Sequence, residues 1–118
     1  MNILVTGATG FMGRALVERL ATNNDRIVCL VRQPVERYQE LNKANVELKR
    51  VNILDKETLV KSIPEVQLVY HLAGKVFTRQ KRGNPYHKVN TEGTKFLAQA
   101  VMNSCREYPR FIFLSSIA

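Results

Sequence analysis

Residues 2–13 read NILVTGATGFMG. The run Asn2–Thr6 is continuous, apolar and rich in branched side chains, and glycine ends it, which predicts a buried strand. From Phe11 onward apolar residues fall at positions 11, 12, 15, 16 and 20, a spacing that predicts a helix over Phe11–Thr22. Three glycines punctuate the junction. Gly7 lets the chain turn sharply out of the strand. Gly10 has no side chain, so a ligand can approach the backbone there, and Gly13 lets the helix lie close to the sheet. Strand, glycine turn and helix in this order bring bare N–H groups and the positive end of the helix dipole to one point, which suits a pyrophosphate. The candidate phosphate-binding residues are therefore Thr6, Gly7, Thr9, Gly10, Phe11, Met12 and Gly13.

Outward from that stretch, apolar runs and helical patterns alternate. Arg26–Val31, Val46–Val51, Gln67–Leu72 and Arg110–Ser115 read as strands. Val35–Leu41 is weakly helical, Lys56–Ser62 is a short helix stopped near Pro64, and Pro85–Cys105 is a longer helix, with a polar loop over Lys75–Asn84. Alternation of this kind implies an α/β fold, a Rossmann-type doubly wound parallel sheet with helices on both faces. The expected strand order is 3-2-1-4-5, with the ligand crevice at the carboxyl ends of strands 1 and 4.

The bulk properties agree with one ordinary globular domain spanning 1–118. The apolar share is 45% and the charged share 24% of 118 residues. Cys29 and Cys105 stand alone in apolar segments, with no metal-ligand spacing, and read as reduced buried thiols. No secretory signal is recognisable, and no apolar run reaches the roughly 18 residues of a membrane span, so a cytoplasmic address is expected with no membrane partner. The formal charge is +8. The charges are scattered, without aromatic and basic residues interleaved, so no nucleic-acid partner is expected. Basic residues do cluster after the fourth strand, at Lys75, Arg79, Lys81 and Arg82, where they suit either an anionic substrate or a solvated loop.

The spacing TGxxGxxG resembles the short-chain dehydrogenase/reductase superfamily, and more narrowly its extended branch of NAD(P)-dependent epimerases and dehydratases. Three more landmarks fall in order. His71-Leu72-Ala73-Gly74 resembles that branch's HLAA or HLAG signature, Asn90-Thr91-Glu92-Gly93-Thr94 its N-V-x-G-T motif with Thr91 in place of valine, and Ser115-Ser116-Ile117-Ala118 the start of its S-S-x-A motif. The resemblance implies an oxidoreductase, epimerase or dehydratase that acts by hydride transfer on a hydroxyl or carbonyl. Ser116 would steady the substrate oxygen, with Asn90 supporting the site. Leu72, Ala73 and Gly74 would border the nicotinamide ribose, and Asn52 and Ile53 would meet the adenine, with asparagine where the family often has aspartate. Asp55, three residues on, reads as a helix cap.

The resemblance also calls for a tyrosine with a lysine four residues on, and Tyr38, Tyr70, Tyr86 and Tyr108 all lack that lysine. The expectation is an incomplete domain that binds a dinucleotide, lacks turnover by itself and self-associates through the face left open after the fifth strand. Whether the parent protein is an enzyme stays open, the alternatives being a non-catalytic dinucleotide sensor or RNA-binding relative, or a domain with a dead cleft. The cofactor is read from the end of the second strand. Val31-Arg32-Gln33 offers no acid for the ribose hydroxyls of NAD, whereas Arg32, assisted by Arg14, suits the 2′-phosphate of NADP. NADP is therefore favoured over NAD. His71 reads as a satisfied structural histidine, and no metal site is expected.

Overall fold

The computed structural model describes residues 1–73 and 87–114. Five parallel strands form one sheet: β1 (Asn2–Thr6), β2 (Arg26–Val31), β3 (Val46–Arg50), β4 (Leu68–His71) and β5 (Arg110–Phe113), in the order β3-β2-β1-β4-β5. That is the order expected from the alternation of elements. β1 is central, with Ile3 opposite Ile27 on one side and Leu68 on the other. The helices are α1 (Phe11–Leu20), α2 (Lys56–Ser62) and α3 (Gly93–Ser104).

Successive strand residues point to opposite faces, so the apolar runs feed two cores. Leu4, Val28 and Val69 pack with Leu59 of α2 and Leu97, Ala100 and Val101 of α3. Ile3, Val5, Ile27 and Cys29 pack with Val17 of α1 and Leu41. Both thiols are free and buried, and burial pushes the Cys29 thiol up to about 12.

The boundaries differ from the sequence reading where side chains intervene. α1 stops at Leu20 because the Thr22 hydroxyl and amide both turn back to the Arg19 carbonyl, which ends the helix in a turn. The weakly helical segment after β2 is two short 3₁₀ turns, Val35–Arg37 and Gln39–Leu41. The long helix expected over Pro85–Cys105 is described from His87, and its first part, His87–Glu92, is a π-helical turn ahead of α3. Single ladder bonds continue past three strand ends, Val51 N to Val31 O, Leu72 N to Thr6 O and Leu114 N to His71 O, which accounts for the slightly longer strands expected. Asp55 caps α2, accepting from the Thr58 amide and hydroxyl.

Candidate functional site

β1 delivers the chain into the turn at Thr6, and Gly7 takes φ +74°, a left-handed conformation open to glycine at little cost. The turn passes directly over the end of β4. A Cβ placed on Gly7 would lie 2.6 Å from the Ala73 nitrogen, and one placed on Gly13 would lie 1.9 Å from the Gly7 carbonyl oxygen. Two of the three glycines are therefore demanded by the protein's own packing. Gly10 is not: a Cβ there would meet only Gly7 O, at 3.5 Å, an ordinary contact. Its bare face is open to a ligand.

Gly10 is also the N-cap of α1, and no side chain caps the helix. The first helical bond runs from Arg14 N to Gly10 O at 3.0 Å. The amides of Phe11, Met12 and Gly13 consequently have no partner among the described residues, and α1 has no acidic residue in its first turn. Three aligned donors at the positive end of a helix dipole form a site for an anion. The Phe11 side chain is 94% exposed and that of Met12 57%, so these residues offer their backbone rather than their side chains.

A cleft of about 420 Å³ opens beside this turn, lined from the glycine loop outward by Thr6, Gly7, Thr9 and Gly10, at β2 by Arg32, Gln33 and Tyr38, at β3 by Asn52, Ile53 and Leu54, and at β4 by Leu72 and Ala73. It follows the carboxyl ends of β2, β1 and β4 with the loop after β3, where doubly wound sheets place their ligands. Among the described residues no carboxylate lines it, and Arg32 is the one charged residue that does. The Arg32 guanidinium has no ion pair among the described residues, while its own backbone carbonyl accepts from Arg50. Arg14 is committed elsewhere, to the Thr9 carbonyl at 2.9 Å and to Glu40 at 3.1 Å. Asn52 accepts the Leu54 amide through Oδ1 at 3.0 Å, bracing the loop it sits on. A larger hollow of about 580 Å³ lies at the opposite end of the sheet, among Glu65–Gln67 and Arg106–Pro109, but the Glu65 carboxylate already receives the Arg106 amide.

His71 is fully buried behind the cleft. Its Nδ1 lies 2.6 Å from Thr6 Oγ1 and its Nε2 2.7 Å from Thr94 Oγ1, and its ring stacks on Phe113 at 5.4 Å. Burial pulls its pKa down to about 4, so it is neutral at physiological pH. This is the satisfied structural histidine expected from the sequence, although its partners lie 65 and 23 residues away and no spacing pointed to them. The sequence reading also missed Tyr38, hidden in a weak pattern, and Thr94, which stood in a quoted motif without a role. Asn90 lies in the π-helical turn, where its carbonyl accepts from Thr94 Oγ1 at 2.9 Å. Gly74, the basic loop at 75–82 and Ser116 lie outside the described residues.

Known proteins share both the sequence pattern and the architecture. The family model described as the NAD dependent epimerase/dehydratase family matches residues 3–118. A UDP-glucose 4-epimerase of Vibrio cholerae is 35% identical over 122 residues, which cover 98% of this chain and 35% of that protein. Among solved structures, the UDP-glucose 4-epimerase of Thermotoga maritima, crystallised with UDP-glucose, superposes with a TM-score of 0.79 at 27% identity, covering 98% of this chain and 38% of that one. A variant of Agrobacterium tumefaciens uronate dehydrogenase complexed with NAD gives 0.76 at 26% identity, covering 98% and 40%. The chain thus spans little more than a third of the length of such relatives. Taken with the sheet order and the glycine turn, the match shows that this chain belongs to the NAD-dependent epimerase/dehydratase family.

Proposed function

We propose that the cleft binds a nicotinamide adenine dinucleotide, NADP in preference to NAD, and that the chain is the cofactor-binding part of an oxidoreductase, epimerase or dehydratase. The observation that carries this reading is the set of amides at Phe11–Gly13, unpartnered among the described residues, beside the open face of Gly10. There the chain grips the pyrophosphate. Thr9 and Gly10 border the phosphates, Asn52 and Ile53 border the adenine, and Leu72 and Ala73, with Gly74 next in sequence, border the nicotinamide ribose. When bound, the cofactor supplies the hydride chemistry, while Ser116 holds the substrate oxygen and Asn90 supports the site from the helix behind it. The substrate is a small hydroxyl or carbonyl compound. An anionic one is supported by the basic residues at Lys75, Arg79, Lys81 and Arg82 and by the UDP-glucose bound to the Thermotoga relative.

The preference for NADP is supported, among the described residues, by a cleft lining without a carboxylate and by Arg32, which has no ion pair there. A guanidinium forms a bidentate pair with a phosphate, whereas an acid at the end of β2 would repel it. The chain has no tryptophan, so NADPH and NADH fluorescence titrations can be read directly. The expected result is tighter NADPH binding in the wild type and a fall of about tenfold or more in that preference on Arg32→Glu. An unchanged ratio between the two cofactors removes Arg32 from the site. Absence of binding by either cofactor refutes the proposal.

Self-association through the β5 face belongs to the same reading. Ile112, Phe113 and Leu114 are each more than a third exposed, and β5 is an edge strand without charged residues past Arg110. At the other edge, β3 carries Glu47 paired with Arg26 and Lys49, charges that discourage strand addition. Sedimentation at increasing concentration should show a reversible dimer or larger species, and a monomer throughout would count against it.

A further inference from the structure

A single file of hydrogen bonds runs behind the cleft, and the Asn90 carbonyl at one end of it assigns a direction to the rest. The Asn90 carbonyl can only accept, so the one hydroxyl proton of Thr94 goes to it, at 2.9 Å. Thr94 Oγ1 must then accept at its other contact, 2.7 Å from His71 Nε2, so Nε2 carries the imidazole proton. A neutral imidazole protonated on Nε2 is bare on Nδ1, and Nδ1 accepts the Thr6 hydroxyl at 2.6 Å. Thr6 Oγ1, its proton spent, is free to accept the Ala73 amide at 3.1 Å. In the other tautomer a bare Nε2 would face Thr94 Oγ1, whose proton goes to Asn90, so that two acceptors would meet at 2.7 Å.

The far end of this file is the wall of the cleft. The Ala73 peptide lies between the Thr6 hydroxyl and the backbone of Gly7, with no room for a Cβ between Gly7 and Ala73 N. A shift of Ala73 is therefore also a shift of the glycine turn. Thr94, at the near end, does not line the cleft.

We propose that His71 is a positioning residue: held as the Nε2–H tautomer by Thr94, it fixes Thr6 and Ala73, and so couples the start of α3 to the dinucleotide turn. The coupling to ligand rests on the dinucleotide reading above, but the hydrogen-bond file does not. Thr94→Val keeps the side-chain shape and removes the acceptor of Nε2–H, and Thr94→Ser keeps the hydroxyl. In ¹H–¹⁵N spectra the wild-type His71 ring should show a protonated Nε2 and a bare Nδ1. Thr94→Val should lose that single-tautomer pattern, move the Ala73 amide resonance and speed its hydrogen exchange. It should also weaken NADPH binding by about tenfold. Thr94→Ser should restore all of these to within about twofold of wild type.

A protonated Nδ1 in the wild type overturns the proposal, as does an Ala73 amide unchanged by Thr94→Val. So does equal NADPH binding by the Val and Ser variants, provided the wild type binds. If the wild type binds no dinucleotide, that reading falls, and the tautomer and Ala73 signals still decide whether the file exists. A loss of binding that tracks only thermal stability across both variants, with the tautomer unmoved, also counts against positioning.

Discussion

Gly13→Ala is expected to cost about 3 kcal/mol of folding stability and to lower the melting temperature by roughly 10 °C, whereas Gly10→Ala leaves both nearly unchanged. The two substitutions add the same methyl group to the same turn. In an exposed helix the change at Gly13 would even help, by about 1 kcal/mol, because alanine is the better helix former. Here the methyl would stand 1.9 Å from the Gly7 carbonyl oxygen and 2.8 Å from the Ala8 Cα, both backbone atoms of a turn already pressed against β4. Backbone has to move, and the clash outweighs the propensity. At Gly10 the backbone is extended, φ −77° and ψ 173°, which alanine adopts freely, and the nearest atom is 3.5 Å away. The function should respond in the opposite sense. Gly10→Ala fills the face where a pyrophosphate would rest, so NADPH affinity should fall by at least about tenfold in a fully folded protein. Thermal unfolding by far-UV circular dichroism and NADPH titration separate the two effects. A Gly13→Ala protein that melts with the wild type would show that the turn is looser than its packing implies. A Gly10→Ala protein that binds normally would move the phosphates elsewhere.

This contrast also marks what was legible in the sequence. The sheet and its order follow from apolar runs such as Asn2–Thr6 and Arg26–Val31, because a strand buried on both faces has a composition that surface segments lack. The glycine turn was legible because its chemistry is local: strand, turn and helix are contiguous, and each glycine has a role within a few residues. The roles read for the glycines, a turn at Gly7, a bare backbone at Gly10 and a close approach at Gly13, agree with the geometry. What was not legible is that Gly7 is also pressed against Leu72 and Ala73, more than sixty positions away, whereas Gly13 meets Gly7 and Ala8 of its own turn. Arg14 looked like a helper for a phosphate because charge can be read from sequence, but its geometry ties it to Thr9 and Glu40. The π-helical turn at His87–Glu92 carries no signature that distinguishes it from ordinary helix. His71 was correctly read as structural, yet only the fold brings Thr6 and Thr94 to its two nitrogens.

The buried imidazole makes the protein's stability depend on pH in a window where few other groups titrate. The pKa of His71 falls from 6.5 to about 4 on folding, through burial. Above the higher value the ring is neutral in both states and pH has no leverage. Between the two values the unfolded chain takes up a proton that the folded chain refuses, so stability falls as the solution is acidified. Below the lower value both states are protonated and the loss stops growing. A difference of 6.5 − 4 = 2.5 units corresponds to about 3 kcal/mol, a large part of what a domain of this size has to lose. Glu47, held down by its hydrogen bond from Arg26, and Asp55, held down by Thr58, also stabilise the fold, but their contributions are lost only further into acid, below their ordinary values of 4.5 and 3.8. Urea unfolding at about pH 7.5 and about pH 4.5 should therefore differ by most of that amount in the wild type. His71→Leu should be weaker at neutral pH by about 2–3 kcal/mol, since it strands the buried Thr6 hydroxyl and removes two hydrogen bonds, and its unfolding free energy should be nearly flat across the same window. If the variant kept the wild-type slope, the pH dependence would have to come from other groups. If the wild type showed no slope, the imidazole would have to be reached by water or by a counter-charge, and the closed file from Asn90 to Ala73 could not be as complete as its distances make it.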